Sequence, residues 1–491
     1  MCAKNSSIPF PLYRYKSEVR RLAVNGLPQP YEGCKSGKKY TAAPLNFVQN
    51  IYPAAFFINS RESADIPAFL NKNSAHIIYT VEWTVATTSS SVRLLSSASA
   101  AIVPASKSSL LPSARLSSMT KLQRELEGNA DGLIDLTFGY PDGLQQPWMR
   151  ALSRVPVRRL QTCNARQLKQ EIAAWFACQY SETPARVLLA NTACEALAVA
   201  ISSVVEQAGD EIILFDGCFD PYPSLIRSFK GCPVFAPRFE DGRPDLQSLQ
   251  SLLTRRTRAV LITHPDNPLG YVYSKQELEM VKEFCDTAGL TLIVDSAFAF
   301  VSPYGADTFG PLEAVRKNGS RWILIADTGK VFDLFGVRCG ALIAPDGLAG
   351  LLQSRLDQLF FRMDALRLNV LALTVGHKLW TQAAEHVNYT VAANYAYLAK
   401  HMDTRLRPIR PMAGSLAILE FDGAQTTDKE LAETFRRSAG VALVPCSYFV
   451  FADSCCGSLR NRLRIALARP PKIIRRAVVN LNAAINDVLA R

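Results

Sequence analysis

Apolar runs and helical patterns alternate between residues 186 and 325, and this alternation restricts the possible folds more than any other feature of the chain. The predicted strands are residues 186–190, 211–215, 233–236, 258–263, 291–294 and 321–325. The predicted helices between them are residues 195–206, 222–229, 245–254 and 275–288. Such alternation indicates an α/β fold with a parallel sheet and crossover helices. Strands that are apolar throughout are typical of a sheet covered on both faces.

The sequence after this region predicts a second, smaller α/β domain. Two long helical stretches are expected first, at residues 349–382 and 385–402. The predicted elements after them are strands near 414–421, 441–444 and 463–467 and helices at 428–438 and 472–489. We therefore expect a large domain at 151–390 and a small C-terminal domain at 391–491, with residues 119–150 packing on the small domain and the active site.

Residues 1–118 differ in composition from the rest of the 491-residue chain. Serine is frequent, and no acidic residue occurs between Trp83 and Arg124. An acid-poor, serine-rich segment with arginines is typical of an organelle transit peptide, but this one begins far from the N-terminus. A disordered, low-complexity linker and an over-extended chain whose true start is Met119 are the other readings. We assign no chemistry to this segment.

The net charge of +12 is unevenly distributed. Residues 1–118 hold 13 Lys and Arg against five Asp and Glu, whereas residues 119–491 hold 42 against 38. A basic tail therefore explains the charge, and we predict no nucleic-acid partner. No run of apolar residues is long enough to predict a membrane span. Twelve cysteines without a C-x-x-C pair and five histidines without metal-ligand spacing favour a reducing, cytoplasmic compartment and no metal site.

Functional side chains are expected where the strands end, because ligands of open parallel sheets bind beyond the carboxyl ends of the strands. Thr192, Ala193 and Cys194 follow the first strand and begin a helix, where free N–H groups and the helix dipole favour an anion. An ordinary helix N-cap is the alternative. Phe219 follows the second strand and could stack on a flat ring or simply pack.

Two further strand ends carry an amide and a carboxylate. Asn267 lies in an Asn-Pro-Leu-Gly run, which is a turn signal, and its amide could donate to a phenolate oxygen. Asp295 ends an apolar strand, where a poorly solvated carboxylate needs a cationic partner such as a protonated pyridine nitrogen. A helix N-cap is again the alternative for Asp295.

The last predicted strand delivers Lys330 onto a turn softened by Gly329. A lysine amine in a partly desolvated pocket is a nucleophile toward an aldehyde. Arg338, eight residues later, offers a rigid fork for a phosphate. An aldehyde together with a phosphate describes pyridoxal 5'-phosphate (PLP), although a solvated surface lysine is the alternative at this position.

Taken together, the five strand ends resemble the class I/II aminotransferases, which are PLP enzymes of fold type I. The resemblance runs from Gly139 to Ala468. It implies a mostly parallel seven-stranded sheet in an α/β/α sandwich, a smaller α/β C-terminal domain and a homodimer. It also implies an α-amino acid and a 2-oxo acid as substrates.

The resemblance implies a role in cofactor binding for most of the residues named above. Lys330 would bind PLP covalently and move the α-proton, and Asp295 would keep the pyridine nitrogen protonated. Asn267 would bond the O3' oxygen, and Phe219 would stack on the ring. The phosphate would be held by an arginine and by N–H groups at a helix start: Arg338, Thr192, Ala193 and Cys194.

Three residues are implied on the substrate side. Gly139, in a Gly-Tyr-Pro run, would line the substrate cavity, and Arg464 would clamp the substrate carboxylate with both arms of its guanidinium. Asp327 replaces the family's usual phosphate-binding serine, and it either faces the substrate or pairs with Lys330. Phe298 replaces a tyrosine that usually assists the O3' contact.

Together with the Asp-Thr-Gly-Lys run that ends at Lys330, Val444-Pro445-Cys446 and the run from Arg464 to Arg469, these departures resemble one branch of the family. That branch contains the PLP- and oxygen-dependent L-arginine oxidase/hydroxylase of enduracididine biosynthesis. Leu144, however, follows Asp142-Gly143 where that oxidase has a histidine. Our first hypothesis is transamination, with Asp327 favouring a basic donor. The alternative is oxidation or hydroxylation of a basic amino acid by O2. A PLP-fold regulator with a DNA-binding arm ranks third, because residues 1–118 contain no helix-turn-helix pattern.

Overall fold

A computed structural model describes part of the chain, and the chain divides into two units, Met1–Ser108 and Ser109–Arg491. The described residues are 81–88, 91–98, 116–127, 132–144, 164–316, 321–332, 337–360, 363–376, 379–422, 426–452 and 459–489. In the first unit, β1 (Val81–Thr88) and β2 (Ser91–Ala98) form an antiparallel hairpin, which the sequence analysis did not predict. The remaining residues of 1–115 lie outside the described ranges, so the interpretations of this segment stay predictions.

The second unit begins with α1 (Ser118–Glu127), β3 (Ile134–Asp135) and α2 (Ala165–Gln179). A seven-stranded sheet follows. Its strands are β4 (Val187–Ala190), β5 (Glu211–Phe215), β6 (Cys232–Ala236), β7 (Thr257–Thr263), β8 (Thr291–Asp295), β9 (Trp322–Asp327) and β10 (Gly340–Ile343). Their spatial order is β4-β10-β9-β8-β7-β5-β6. Only β10 runs antiparallel to its neighbours, so the prediction of a mostly parallel seven-stranded sheet is confirmed.

Helices cover both faces of this sheet. They are α3 (Ala193–Val204), α4 (Pro221–Ser228), α5 (Leu249–Leu252), α6 (Lys275–Ala288), α7 (Asp346–Leu359), α8 (Ala365–Gly376) and α9 (Leu379–His401). Successive residues of a strand enter different cores, as alternation across a pleated sheet requires. Ile213 and Phe215 of β5 belong to one apolar cluster, whereas Ile212 and Leu214 belong to the other. This arrangement is the α/β/α sandwich.

The prediction of a single helix at 349–382 was wrong. Helix α7 ends at Leu359, and Phe360 is extended, with φ −134° and ψ 146°. Helix α8 then starts anew, because the side chain of Asp364 accepts a hydrogen bond from the N–H of Arg367 at 2.7 Å. The apolar periodicity continues through both helices and hides this break. The helix predicted at 245–254 is also shorter, a 3₁₀ turn followed by the four residues of α5.

A smaller antiparallel sheet follows α9. The C-terminal elements are β11 (Leu406–Ile409), β12 (Leu416–Phe421), α10 (Asp428–Thr434), β13 (Val441–Ala442), β14 (Val444–Pro445), β15 (Arg462–Ala466) and α11 (Pro471–Leu489). The sheet order is β11-β12-β15-β14, and β11 was not predicted. Strand β13 pairs in parallel with β3, which joins the segment before the large sheet to the C-terminal part. Helix α9 runs through residue 390, and the domain boundaries stay predictions.

The helices of the described residues are too short or too polar to cross a membrane.

Candidate active site

The end of β9 forms a tight turn that carries Lys330. The side chain of Asp327 accepts a hydrogen bond from the N–H of Gly329 at 2.7 Å, which closes the turn. Gly329 suits this turn, because a Cβ atom would lie 2.9 Å from Cδ of Arg338 and the arginine side chain would have to shift. Thr328 fastens the turn to β10, since its Oγ1 accepts a hydrogen bond from the N–H of Cys339 at 2.8 Å. The backbone thus fixes where Lys330 enters the site.

The amine of Lys330 lies between two aromatic rings. Its Nζ is 3.7 Å from the ring centre of Tyr140 and 4.6 Å from that of Phe298. The Tyr140 ring also lies 4.6 Å from the guanidinium carbon of Arg338. Aromatic faces attract cations at these distances, so Tyr140 links the amine to the guanidinium.

Arg338 and the start of α3 are the groups of this site that could hold an anion. Strand β10 approaches this helix so closely that a Cβ at Gly340 would lie 2.3 Å from the carbonyl carbon of Thr192 and 2.6 Å from the nitrogen of Ala193. Nε of Arg338 is buried without a hydrogen-bond partner among the described residues. A buried donor without an acceptor is costly, and an anion at the helix start would satisfy it.

Thr192 itself caps its own helix, because its hydroxyl oxygen accepts a hydrogen bond from the N–H of Glu195 at 3.1 Å. The side chain of Thr192 therefore acts as a helix N-cap, which was the alternative named for this residue.

Asp295 at the end of β8 is buried and doubly hydrogen-bonded. It accepts a hydrogen bond from the Tyr222 hydroxyl at 2.8 Å and another from the N–H of Ala297 at 3.0 Å. The Tyr222 hydroxyl also lies 2.8 Å from Oγ1 of Thr263. Burial raises the pKa of Asp295, while these hydrogen bonds and the positive charge of Lys330 oppose that rise. A carboxylate in this position is stabilised by a cationic partner.

Arg464 on β15 is 2% exposed and reaches the same site from the smaller sheet. Its Nη1 donates to Oδ1 of Asn267 at 3.0 Å, and its Nη2 donates to the carbonyl oxygen of Thr137 at 2.6 Å. Because Oδ1 of Asn267 is the acceptor, the amide nitrogen of that side chain remains a donor. Burial lowers the pKa of Arg464 to about 10, so the guanidinium is charged at neutral pH.

The loop that carries Asn267 is held by a buried histidine and a buried ion pair. Nδ1 of His264 accepts a hydrogen bond from the N–H of Tyr273 at 3.2 Å, and its Nε2 lies 3.0 Å from the carbonyl oxygen of Thr308. His264 is therefore neutral, with its proton on Nε2. Arg238 and Asp266 form an ion pair at 2.7 Å within the same loop region.

Burial lowers the pKa of His264 from 6.5 to about 4. Between pH 6.5 and about pH 4, the unfolded chain therefore binds a proton that the folded chain does not bind. The free energy of unfolding decreases as the pH is lowered through this window. When the pH is lowered from 7 to 5, we expect His264 to reduce the free energy of unfolding by about 2 kcal/mol. Urea unfolding of the wild type and of His264→Gln at both pH values measures it. Equal pH dependences of the two proteins would contradict the prediction.

Two adjoining cavities contain ten of the eleven side chains singled out in the sequence; Thr192 lines neither. The inner cavity has a volume of about 40 Å³ and the outer cavity about 270 Å³. The candidate residues that line only the inner cavity are Ala193, Asp295 and Asp327. Those that line only the outer cavity are Gly139, Arg338 and Arg464. Those that line both are Cys194, Phe219, Asn267 and Lys330.

Gly139 has a steric reason to be glycine, since a Cβ there would lie 3.0 Å from Cζ of Phe298. Among the described residues, no group of three His, Cys, Asp or Glu side chains could hold a metal ion.

Sequence reasoning missed several residues of this site. Tyr140 follows Gly139 directly, and Tyr222 lies one helical turn after Phe219, so position alone could have suggested both. The sequence analysis noted Arg469 only as the end of a run that starts at Arg464, and it gave this residue no role. Its buried guanidinium donates to the carbonyl oxygen of Tyr140 at 2.6 Å and to that of Phe138 at 3.0 Å, which fixes the segment that carries Gly139.

The sequence model of the family "Aminotransferase class I and II" matches residues 131–481, well over half of the chain. The chain belongs to the class I and II aminotransferase family. The match contains the inner cavity and all of the outer one except α1. The proposed resemblance to this family is therefore confirmed, whereas the narrower oxidase branch stays a prediction.

Curated relatives and solved structures agree with this family. The chain is 26% identical over 246 residues to an aspartate aminotransferase of Geobacillus stearothermophilus, covering 48% of this chain and 62% of that protein. It is 29% identical over 174 residues to kynurenine–oxoglutarate transaminase 1 of Rattus norvegicus, covering 33% of this chain and 41% of that protein. These matches therefore span less than two thirds of either relative.

The aspartate aminotransferase from Thermus thermophilus with maleate has a similar structure. Its TM-score is 0.65 at 21% identity, covering 75% of this chain and 97% of that chain. The N-succinyldiaminopimelate aminotransferase from Mycobacterium tuberculosis gives a TM-score of 0.65 at 20% identity, with the same coverage of 75% and 97%. This likeness confirms fold type I.

Proposed function

We propose that this chain is a PLP-dependent aminotransferase that moves an amino group from an α-amino acid to a 2-oxo acid. One observation carries the proposal. The amine of Lys330 lies 4.6 Å or less from two aromatic rings, in a cavity that it shares with the buried guanidinium of Arg464. An amine that faces a carboxylate-binding arginine is the arrangement that amino-acid chemistry needs.

The described residues fit PLP. Arg338 has a buried Nε without a partner, and the start of α3 presents N–H groups, which together suit the phosphate. Asp295 suits a protonated ring nitrogen, and the amide nitrogen of Asn267 is free to donate to an oxygen on the ring. The ring centre of Tyr140 lies 3.7 Å from Nζ of Lys330 and 4.6 Å from the guanidinium carbon of Arg338, so this ring adjoins both residues that would hold the cofactor.

PLP, when bound, supplies an aldehyde that combines with amino groups and a protonated ring that withdraws electrons. The side chains of this chain supply the rest. Lys330 holds the cofactor and moves the proton on the α-carbon of the substrate. Arg464 orients the substrate through its carboxylate, and the rings of Phe219 and Phe298 exclude water from the reacting atoms.

The position of Asp327 bears on the choice of substrate. Its carboxylate accepts the Gly329 N–H and lines the inner cavity, and it is not among the described residues of the outer cavity. Burial raises the pKa of Asp327, and Lys330 and Arg338 oppose this rise. We infer that the positive charges of Lys330 and Arg338 balance the negative charge of Asp327 and that Asp327 does not select a basic donor. Aspartate and kynurenine, named for relatives, are reasonable first donors to test.

Removing the Tyr222 hydroxyl tests the role of Asp295. Tyr222→Phe deletes the donor that opposes the raised pKa of Asp295, so the carboxylate becomes a weaker partner for a ring cation. We expect kcat to fall about tenfold with little change in KM. The control is Tyr273→Phe, because that buried hydroxyl has no hydrogen-bond partner among the described residues. Equal kcat values for the two variants would contradict the role of Tyr222.

We also propose a homodimer, in keeping with the sequence prediction. Leu351 and Leu359 of α7 and Leu366 of α8 are 41%, 42% and 52% exposed, which suits helices that pack against a second copy. Light scattering should give a mass of twice 54.0 kDa; a mass of one chain would contradict it. A cytoplasmic location stays a prediction.

The test of the proposed function is spectroscopic. The purified protein is loaded with PLP and mixed, without oxygen, with aspartate, kynurenine, phenylalanine or arginine in turn. We expect at least one donor to convert the cofactor absorbance to that of pyridoxamine 5'-phosphate, and 2-oxoglutarate to reverse the change. Oxygen uptake with arginine in air, without that conversion, would instead favour the oxidase alternative. No change with any donor would contradict both.

A further inference from the structure

Helix α1 forms one wall of the outer cavity. Met119, Thr120 and Gln123 line it, and their spacing puts Met119 and Gln123 on one face of the helix. Lys330 and Arg464 line the same cavity. A helix that ends 60 positions before the large sheet begins therefore contacts the same space as the amine of Lys330.

Asp220, on another element, holds the start of α1 in place. Its Oδ2 accepts a hydrogen bond from the N–H of Met119 at 2.9 Å, and the carboxylate is 2% exposed. The first N–H groups of a helix have no partner within the helix, so a carboxylate from elsewhere caps them. Asp220 directly follows Phe219, so the cap is tied to a residue that lines both cavities.

The side chain of Met119 reaches Arg464. Its Sδ accepts a hydrogen bond from Nη2 of Arg464 at 3.4 Å, while Nε of the same guanidinium is buried without a partner among the described residues. Nε and Nη2 form one edge of the guanidinium fork that carboxylates bind. A thioether is a weak acceptor, and a carboxylate is a much stronger one.

We propose that the sulfur of Met119 holds the place of one substrate carboxylate oxygen on Arg464, and that the incoming carboxylate displaces it. Asp220 is the positioning residue, because its hydrogen bond to the N–H of Met119 keeps α1 where the sulfur can reach Arg464. This inference rests on the part of the proposed function that assigns the carboxylate to Arg464. The unbranched methionine side chain can turn away without moving the helix.

The proposal predicts the sign of a substitution effect. Met119→Leu keeps the volume of the side chain but removes the sulfur acceptor. The carboxylate then has no competitor for Nη2 of Arg464, and that donor lacks the sulfur contact in the free protein. Carboxylates should therefore bind more tightly, by about two- to fivefold, the value of one weak hydrogen bond. Leu122→Ile is the matched control, because Leu122 lies on the same helix and packs in the same apolar cluster but does not line the outer cavity.

The probe is propionate, which is too small for side-chain selectivity to exclude it. The methionine methyl groups are labelled with ¹³C, and the chain has only seven methionines, so Met119 can be assigned from the Met119→Leu spectrum. We expect the Met119 resonance to move on titration while that of Met280, which is 45% exposed on α6, stays fixed. Propionate dissociation constants for wild type, Met119→Leu and Leu122→Ile come from the cofactor absorbance of the PLP-loaded protein.

Tighter propionate binding by Met119→Leu alone, with a shifted Met119 resonance, supports the proposal. An unmoved resonance at saturating propionate, or equal or weaker binding by Met119→Leu, overturns it. The resonance is followed whether or not any amino acid is a donor, so a failed half-reaction with intact propionate binding would overturn the proposed function and leave this inference standing.

Discussion

Lys330→Ala is expected to abolish transamination, with kcat falling by at least about 10³-fold. The variant loses the amine that holds the cofactor and the base that moves the substrate proton. Arg338 and the start of α3, which we propose hold the phosphate, remain intact, so PLP should still bind without a covalent bond. Steady-state rates and the visible absorbance of the loaded protein measure the two effects separately.

The matched control for this variant is Lys275→Ala, because Lys275 is an exposed lysine that pairs with Glu313 on the surface. It should keep wild-type rates. A small amine such as methylamine should restore part of the activity of Lys330→Ala, since it can take over the proton transfer. Wild-type activity in Lys330→Ala would contradict the role of this residue.

Arg464→Lys is expected to lower kcat/KM for the amino-acid donor by roughly 30- to 5,000-fold, which corresponds to about 2–5 kcal/mol for a buried charged contact. Lysine keeps the charge but cannot keep the bonds to Asn267 and Thr137 and also present a fork to a carboxylate. Most of the loss should appear in KM, because the carboxylate contact exists before the reaction as well as during it.

The control is Arg462→Lys, on the same strand. Arg462 pairs with Glu420 at 2.6 Å and does not line the outer cavity, so its kcat/KM should stay within threefold of the wild type. Circular dichroism and PLP binding would exclude misfolding of Arg464→Lys. A kcat/KM for Arg464→Lys as high as that of Arg462→Lys would contradict the carboxylate assignment.

The sequence predicted the large sheet well because its strands are short apolar runs separated by clear turn signals. The strand ends were equally informative: Asp295 ends β8 and Lys330 comes shortly after β9, so a parallel sheet brings them to one edge. The break between α7 and α8 was missed, because it depends on the single cap at Asp364 and leaves the apolar periodicity intact.

Contacts between distant segments were beyond sequence reasoning. Nothing local to Met119 or Asp220 indicates that residues 101 positions apart share a hydrogen bond. Asp327 shows the same limit in another form. The sequence left two roles open for it, and it gave no sign that its carboxylate accepts the N–H of Gly329 and lines the inner cavity.

The most direct test of this account is to reduce the PLP-loaded protein with borohydride and to locate the phosphopyridoxyl label by peptide mass spectrometry. We predict one labelled peptide, which contains Lys330, and no label in Lys330→Ala. A label on another lysine, or none at all in a protein that has been given PLP, would contradict the central claim.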